Sequence, residues 1–551
     1  MKWFTRATTA WDRARGGRAL AGLAIVAELS TGLLAATITV SNTSDSGAGS
    51  LRRAIQNAAA SDTIKFSVAG TITLTSGELL ITKSLSIVGP GASSLAVSGH
   101  NNSRVFEISS NVTVSISGLT IRDGHAPDGA VLGAAGANGG GIYNAGTLTL
   151  TGCTVMSNTA GGGFSLKSQP MSPNTMAAGG AGGHGGGIYN SGTLRLSSCT
   201  VNGNTGGAGG RSWNSFYINN IGGAGGLGGG LYNAGTSSLT HCTLSSNKGG
   251  AGGVGGGFLR LSGPGHMMPG GTGGAGGGAY NAGALTLIAC TVGGNSGGAG
   301  GTGGSGGETG GVGGAGGSGG AICNATNATT ATLRNSLAAL NQAGAGGAGG
   351  TAATVTGTPG APGSSGTGPD LYGAFASQGH NLVGQADGSS GLTNGVNSDL
   401  AGSTVAPLSA NLGPLQNNGG PTLTMALVAG SPALDAGDDS LLGAPFNLTT
   451  DQRGLPRKSG THVDIGAFEA QVGALAAQTP GRILLRLQSP TQPFRLTVEV
   501  EPGTTGRIQG SSDLQNWITL TNFLSAPSGT FEFTDDSASS HPQRFYRAVR
   551  P

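Results

Sequence analysis

The fold of this chain is decided by residues 139–158, which read Gly-Gly-Gly-Ile-Tyr-Asn-Ala-Gly-Thr-Leu-Thr-Leu-Thr-Gly-Cys-Thr-Val-Met-Ser-Asn. The unit returns around Tyr189, Tyr232 and Tyr280, and once more in degraded form at Cys323. Only about 20 residues of each copy are alike, and Gly-Gly-Ala-Gly-Gly insertions separate the copies. Such a repeat is the signature of a solenoid in which every coil carries one long surface loop.

Within the unit, threonine and leucine alternate from Thr147 to Thr151, which is typical of a half-buried strand. Similar short strands precede the repeat, and residues 50–58 have the spacing of a short helix that would close the open end of a solenoid. Residues 482–551 contain further short strands with polar turns. The sequence therefore predicts an all-β chain, a right-handed parallel β-helix with glycine-rich loop insertions followed by a small C-terminal antiparallel β-sandwich.

Stacked coils bring equivalent side chains directly above one another, about 4.8 Å apart. Two asparagine positions should form amide ladders, because each amide carries both donors and acceptors. The first ladder comprises Asn144, Asn190, Asn233, Asn281 and Asn324, and the second comprises Asn158, Asn204, Asn247 and Asn295. We interpret both ladders as structural.

A third ladder consists of cysteines, namely Cys153, Cys199, Cys242 and Cys290. Buried free cysteine behaves as a small hydrophobic residue, which favours a column of thiols. Disulfides between neighbouring coils are the alternative in an exported protein, although parallel Cβ vectors oppose the torsion that a disulfide requires. Metal binding needs converging ligands, whereas a ladder places its thiols in a line, so no metal site is predicted there.

Composition restricts the classes of partner. Only 9% of the 551 residues are charged and the formal net charge is +3, which leaves no broad basic face for nucleic acid or an anionic membrane. Residues 1–36 combine basic residues with a following apolar run and are expected to be an export signal, with a non-cleaved anchor as the alternative. No other stretch reaches the roughly 20 apolar residues of a membrane span.

These features divide the chain into six expected parts. They are a signal peptide at 1–36, a cap and first rungs at 37–128, the glycine-rich repeat β-helix at 129–370, a C-terminal β-helix segment at 371–470, a linker at 471–481 and a β-sandwich at 482–551.

The repeat at 139–341 resembles the Gly-Gly-Ala-Ile and Phe-x-x-Asn repeats of the chlamydial polymorphic outer membrane proteins and related β-helix surface proteins. Residues 381–469 resemble the choice-of-anchor Q domain, through Asn-Gly-Gly-Pro-Thr at 418–422, Gly-Ser-Pro-Ala-Leu-Asp-Ala-Gly at 430–437 and Asp-Ile-Gly-Ala-Phe-Glu at 464–469. These resemblances imply a secreted or cell-surface address, outer-membrane-associated or extracellular, but no particular chemistry.

Parallel β-helices also serve as pectate lyases and glycoside hydrolases, so a polysaccharide-degrading enzyme is the alternative function. That chemistry needs paired or clustered carboxylates. Between Asp128 and Asp370 the only acidic residue is Glu308, and the earlier carboxylates do not recur at a spacing that would pair them on one face. We therefore expect no catalytic residues and a structural or adhesive role rather than an enzyme.

Binding is expected in the loops and the C-terminal module, because the rungs of a solenoid form a rigid scaffold and the repeats differ mainly in their insertions. Trp213, Phe216 and Tyr217 form an aromatic cluster that could stack on sugar rings, with packing onto the loop's own rung as the alternative. Polysaccharide or another cell-surface component is the expected partner. No cofactor is expected. The alternative is a calcium site at one group of acidic residues, which comprises Asp435, Asp438, Asp439, Asp451 and Asp464. The sequence does not decide whether the glycine-rich loops are ordered as polyproline-II-like strands.

Overall fold

The structure is a computed structural model. It describes residues 35–165, 178–212, 221–258, 266–306, 308–329, 331–353, 355–471, 484–489, 494–500, 505–513, 515–525, 530–541 and 543–549. The expected export signal lies almost entirely outside these residues. Among them, no helix has both the length and the apolar character needed to span a membrane.

Parallel strands stack into a β-helix with three faces, built from an 18-stranded and a 10-stranded sheet. Face 1 comprises β1 (Thr37–Val40), β2 (Thr63–Phe66), β5 (Leu85–Val88), β8 (Thr113–Ser117), β11 (Thr147–Thr151), β14 (Thr193–Ser197), β17 (Thr236–Thr240), β22 (Ala284–Ile288) and β25 (Ala331–Arg334). Face 2 comprises β4 (Leu79–Ile81), β7 (Phe106–Ile108), β10 (Ile142–Asn144), β13 (Ile188–Asn190), β16 (Leu231–Asn233), β21 (Ala279–Asn281) and β24 (Ile322–Asn324). Face 3 comprises β3 (Gly70–Thr73), β6 (Leu95–Ser98), β9 (Thr120–Arg122), β12 (Thr154–Met156), β15 (Thr200–Asn202), β18 (Thr243–Ser245), β23 (Thr291–Gly293), β26 (Leu337–Ala339), β28 (Leu382–Val383) and β30 (Leu400–Ala401).

The strands of one repeat form one rung, and equivalent residues of successive repeats are paired. Tyr143 is in register with Tyr189, and Leu148 with Leu194. Leu148 and Val155 point inward and are fully buried, as are their equivalents in neighbouring rungs. The predicted parallel β-helix is thus confirmed. Strand β27 (Leu371–Ser377) continues both face 1 and face 2, and β29 (Ser389–Ser390) pairs with it.

The rungs turn at corners with a left-handed backbone. In the first full repeat these corners are Gly139, Gly152 and Ser157, with φ values of 71°, 56° and 55°. Glycine suits this region because it has no Cβ, whereas the equivalent His241 and Leu340, at 49° and 64°, adopt it at some cost. The first end of the solenoid is closed by helix α1 (Leu51–Asn57), whose Leu51, Ala54 and Ile55 are buried.

The glycine-rich insertions form a two-layer arrangement of extended segments, which we call the glycine slab. Its outgoing layer comprises residues 125–129, 159–165, 205–212, 248–256, 296–306 and 342–351, and its returning layer comprises residues 134–139, 178–185, 221–228, 269–276, 309–319 and 358–368. Two short strands, β19 (Gly257–Phe258) and β20 (His266–Met267), pair at the end of one insertion. These described insertion residues are therefore ordered.

A three-residue hydrogen-bond period holds the slab together. Gly206 and Gly209 donate within the outgoing layer to the carbonyls of Lys248 and Ala251, at 2.9 and 2.7 Å. Gly207 donates across to Gly183 of the returning layer at 2.9 Å. In each Gly-Gly-Xaa triplet the glycines face neighbouring segments and Xaa faces outward, as three residues per turn require in a polyproline II helix. A Cβ on Gly207 would lie 1.9 Å from the carbonyl oxygen of Gly161, so these positions exclude any side chain.

The rungs end at β30, earlier than the expected limit near residue 470. Beyond it, strands β31 (Leu412–Gln416) and β32 (Thr424–Leu427) form an antiparallel pair, and a 3-10 helix spans Asp439–Leu442. Residues 422–467 contact face 3 through hydrogen bonds to rungs more than 170 residues earlier in the chain. We call residues 411–470 the return segment.

Strands near the C terminus form two three-stranded antiparallel sheets. They are β33 (Leu484–Ser489), β34 (Phe494–Glu499), β35 (Thr505–Ser511), β36 (Ile518–Leu524), β37 (Thr530–Asp535) and β38 (Phe545–Val549). Sheet β33-β34-β37 and sheet β36-β35-β38 share one apolar core, in which Leu496 and Val498 of the first sheet meet Ile508 and Phe523 of the second. This arrangement is the expected small β-sandwich.

Candidate functional site

Both asparagine positions of the repeat lie inside the solenoid as continuous columns. Asn144 Nδ2 donates to Asn190 Oδ1 at 2.7 Å, and the same bond recurs from each rung to the next as far as Asn324. In the second column, the backbone N–H and the side-chain amide of Asn204 both donate to Asn247 Oδ1, at 3.1 and 2.9 Å. The second column continues through Asn341 to the carboxylate of Asp370. These buried amides stabilise the corners of the solenoid.

The cysteine column also lies in the core. Cys153, Cys199, Cys242 and Cys290 are fully buried free thiols, and Cys323 is a fifth free thiol on face 2. Cys199 Sγ donates to the carbonyl of Leu150 at 3.4 Å. Burial raises the pKa of Cys242 well above its ordinary value and that of Cys323 to about 12. Cys242 and Cys323 are thus held as protonated thiols away from solvent and are not nucleophiles.

On the outer side of face 2, four tyrosines stack in a row. The ring centroids of Tyr143 and Tyr189 are 5.1 Å apart, those of Tyr189 and Tyr232 are 5.1 Å apart, and those of Tyr232 and Tyr280 are 5.4 Å apart. Stacked rings cover one another's faces, which are the surfaces that bind sugars. We therefore assign the tyrosine row to structure, although the sequence analysis did not single it out.

Two histidines of the repeat region, His184 and His241, are largely enclosed by neighbouring residues. His184 stacks on Tyr232 at 4.8 Å and its Nδ1 accepts the N–H of Leu227 at 3.0 Å. His241 is only 5% exposed, and burial together with the nearby Arg457 guanidinium lowers its pKa to about 3. His241 lies at a left-handed corner of the rungs, close to Arg457 of the return segment.

The carboxylates of Glu78 and Glu107 both contact one arginine, Arg104. Arg104 Nη1 donates to Glu78 Oε2 and, at 2.9 Å, to Glu107 Oε2. The rest of the guanidinium is held by the carbonyls of Asn138 and Gly139, both at 2.9 Å. The statement that no early carboxylates pair on one face is therefore wrong. Glu78 immediately precedes β4, and Glu107 lies on β7. Strands β4 and β7 are paired in face 2.

This carboxylate pair has an altered protonation equilibrium. Burial, a hydrogen bond to Glu78 and repulsion by its charge raise the pKa of Glu107, against the opposing effect of Arg104. A cavity of about 330 Å³ lies alongside and is lined by Glu78, Arg52, Leu80 and Lys83, among others. A carboxyl group with a raised pKa beside a second carboxyl group is an arrangement that general acid or base chemistry uses.

A second cavity of about 330 Å³ opens at the outer end of the slab's outgoing layer. Its polar lining comes from Arg211, Ser212, Thr302 and Ser305, while Val254 and three glycine backbones complete the wall. Arg211, Thr302 and Ser305 are exposed. The aromatic residues predicted to bind sugar, Trp213, Phe216 and Tyr217, lie outside the described residues.

The acidic group of the return segment is occupied by partners from the chain itself. Asp438 pairs with Arg334 at 2.6 Å, and Asp451 pairs with Arg453 at 2.7 Å. Asp464 accepts the backbone N–H groups of two residues, and Asp439 contacts Lys458. Within the described ranges, no three His, Cys, Asp or Glu side chains converge as metal ligands would.

At the centre of the return segment lies a fully buried arginine. Arg457 Nη2 donates to the carbonyls of Asp464 and Gly466, at 2.9 and 2.8 Å, and its Nη1 is 3.8 Å from Glu469. Its Nε has no hydrogen-bond partner among the described residues. Burial and the Asp464 charge raise the pKa of Glu469 to about 8. Arg457, Asp464 and Glu469 are all buried, and their contacts stabilise the fold of the return segment.

The scan against protein-family models and the search of curated proteins both ended without a match to this chain.

Proposed function

We propose that the chain is an exported structural or adhesive protein, located at a cell surface or in the extracellular space, which contacts polysaccharide through its insertions. The observation that supports this proposal best is the glycine slab. Its interior is backbone packed on backbone, with no room for a side chain at the contacting glycines. A slab of this kind can present a rigid surface, but it cannot assemble a catalytic group inside itself.

The chemistry of the slab agrees with a binding role. Its outward positions are mainly small residues, and the sequence supplies a single carboxylate, Glu308, between Asp128 and Asp370. The resemblance to surface β-helix repeats and to the choice-of-anchor Q domain is part of the same proposal, as are the export signal at 1–36 and the extracellular address.

The proposal is tested on intact cells of the source organism that produce the tagged full-length chain. Added protease is expected to cut the chain while a cytosolic control protein stays intact, and purified chain is expected to bind isolated cell envelopes. A chain that is protected until the cells are lysed would contradict the export part of the proposal. A chain that reaches the surface but does not bind envelopes would contradict the adhesive part and leave a structural role.

A polysaccharide-cleaving enzyme is the second candidate, favoured by one observation, the Glu78 and Glu107 pair on Arg104 beside a cavity. The two carboxylates share one arginine nitrogen instead of flanking a gap for a sugar linkage, which argues against glycoside hydrolysis. Purified protein is expected to leave pectin, alginate and comparable glycans at full length. Depolymerisation that disappears in Glu107→Gln would establish the enzyme instead.

A further inference from the structure

The cavity at the outer end of the slab has the features of a ligand site. It holds about 330 Å³, which lies at the lower end of the range for small-molecule pockets. It lies where in-layer hydrogen bonds align three successive outgoing segments, from Ser212 N–H to the Val254 carbonyl at 3.1 Å and from Gly255 N–H to the Thr302 carbonyl at 2.9 Å. Gly349 of a fourth outgoing segment also lines the cavity, so four different insertions build it.

The cavity wall is rigid, because glycine contacts fix it. A Cβ on Gly303 would lie 1.9 Å from the Gly311 carbonyl oxygen, and a Cβ on Gly349 would lie 1.8 Å from that of Gly360. Ser305 Oγ accepts the N–H of Thr351 at 2.9 Å, which positions this hydroxyl. A preorganised wall loses little conformational freedom when a ligand binds, and this favours affinity.

The lining combines one cation with hydroxyl groups. Arg211 carries a planar guanidinium, which matches the two oxygens of a carboxylate or phosphate. Thr302 and Ser305 add hydroxyls that can exchange hydrogen bonds with sugar hydroxyls. No carboxylate is among the described residues that line the cavity.

We propose that this cavity binds an acidic saccharide unit of an extracellular glycan. The anionic group of the sugar contacts Arg211, and its hydroxyls contact Thr302 and Ser305. The inference rests on the proposed function only in that the chain meets glycans outside the cell. A uronic acid carboxylate and a sugar phosphate offer the same chemistry to Arg211, and the experiment separates them.

The test measures binding of the purified full-length chain to polygalacturonate, to a glycerol-phosphate polymer and to neutral dextran. Wild-type chain is expected to bind at least one anionic polymer and to ignore dextran, and the polymer bound identifies the anion. Arg211→Gln should weaken that binding about tenfold, the loss expected from one charge-assisted hydrogen bond. Arg211→Lys should retain part of the affinity, and Thr302→Val should lose less than Arg211→Gln.

Lys248→Gln is the matched control, because Lys248 is an exposed cation of the same outgoing layer that does not line the cavity. It should bind like wild type. Equal weakening by Lys248→Gln and Arg211→Gln would show general charge attraction and overturn the proposed cavity site. Failure of wild type to bind either anionic polymer would also overturn it. If such a chain still binds cell envelopes, the adhesive function survives while this site does not.

Discussion

Thr243 Oγ1 donates a 2.6 Å hydrogen bond to Gln452 Oε1, although 209 residues separate them in the chain. The other end of the same amide donates to Thr200 Oγ1 at 3.1 Å and to Thr422 Oγ1 at 2.9 Å. One buried side chain thus bonds two rungs of face 3 to the return segment. The return segment closes a face whose outward threonines would otherwise meet solvent.

Gln452→Ala should destabilise the chain by about 2 kcal/mol, because the change leaves buried hydroxyls without their partner. The measurement is the free energy of unfolding by denaturant. Gln416→Ala is the control, since Gln416 is an exposed glutamine of the same return segment and its loss should cost under about 0.5 kcal/mol. Equal effects of the two substitutions would contradict the role assigned to Gln452.

Removing one amide from the second asparagine column should have a larger effect on stability. Asn247→Ala should cost about 3 kcal/mol, because Asn247 Oδ1 accepts two hydrogen bonds from Asn204 and its Nδ2 donates to Val201 and Asn295. Thr151→Ala, at an exposed position of face 1, serves as the control. A loss below about 0.5 kcal/mol for Asn247→Ala would mean that the column contributes little to stability.

The packing of the glycine slab implies that substitutions at neighbouring residues differ strongly in their effect on stability. Gly250→Ala should destabilise the chain by about 1–3 kcal/mol, because its Cβ would lie 2.0 Å from the Gly207 carbonyl oxygen. Ala251→Ser should be nearly neutral, since Ala251 faces outward and is exposed. Thermal unfolding of both variants measures the difference. Similar melting temperatures would show that this part of the slab is not packed as described.

His241 should make stability depend on pH. Its pKa in the folded chain is about 3, below the ordinary 6.5, so between these values the unfolded chain binds the extra proton. This contribution to stability is present above pH 6.5 and is lost as the pH falls toward 3. His241→Asn keeps a side chain that tolerates the left-handed corner and removes the titration. Its stability should fall less steeply than that of wild type over this window, and parallel curves would contradict a buried neutral histidine.

The sequence was sufficient for features that recur in every rung. The repeat of Tyr143, Asn144 and Cys153 at one register predicts the parallel stacking, because identical side chains at a fixed period must lie above one another. The sequence did not decide whether the glycine-rich insertions are ordered, because composition does not show that Gly207 bonds to Gly183 in another insertion. The triplet Gly-Gly-Xaa, with its three-residue period, was the available signal.

Other features depend on contacts that no local pattern reveals. Glu78 and Glu107 lie in the early rungs, where the repeat is too irregular to align them, and Arg104 joins them from outside a strand. The return segment was expected to continue the rungs, but its polar side chains bond instead to Thr200 and Thr243 across the fold. Long-range hydrogen bonds of this kind are set by the finished solenoid.

The proposed function requires that the chain bind glycan without cleaving it. The most direct measurement incubates the purified full-length chain with an acidic polysaccharide and follows both components by size-exclusion chromatography with light scattering. We expect protein and polysaccharide to elute together, Arg211→Gln to reduce this co-elution, and the polysaccharide to keep its full length. A steady fall in polysaccharide length, absent with Glu107→Gln, would contradict the proposed function and identify the chain as an enzyme.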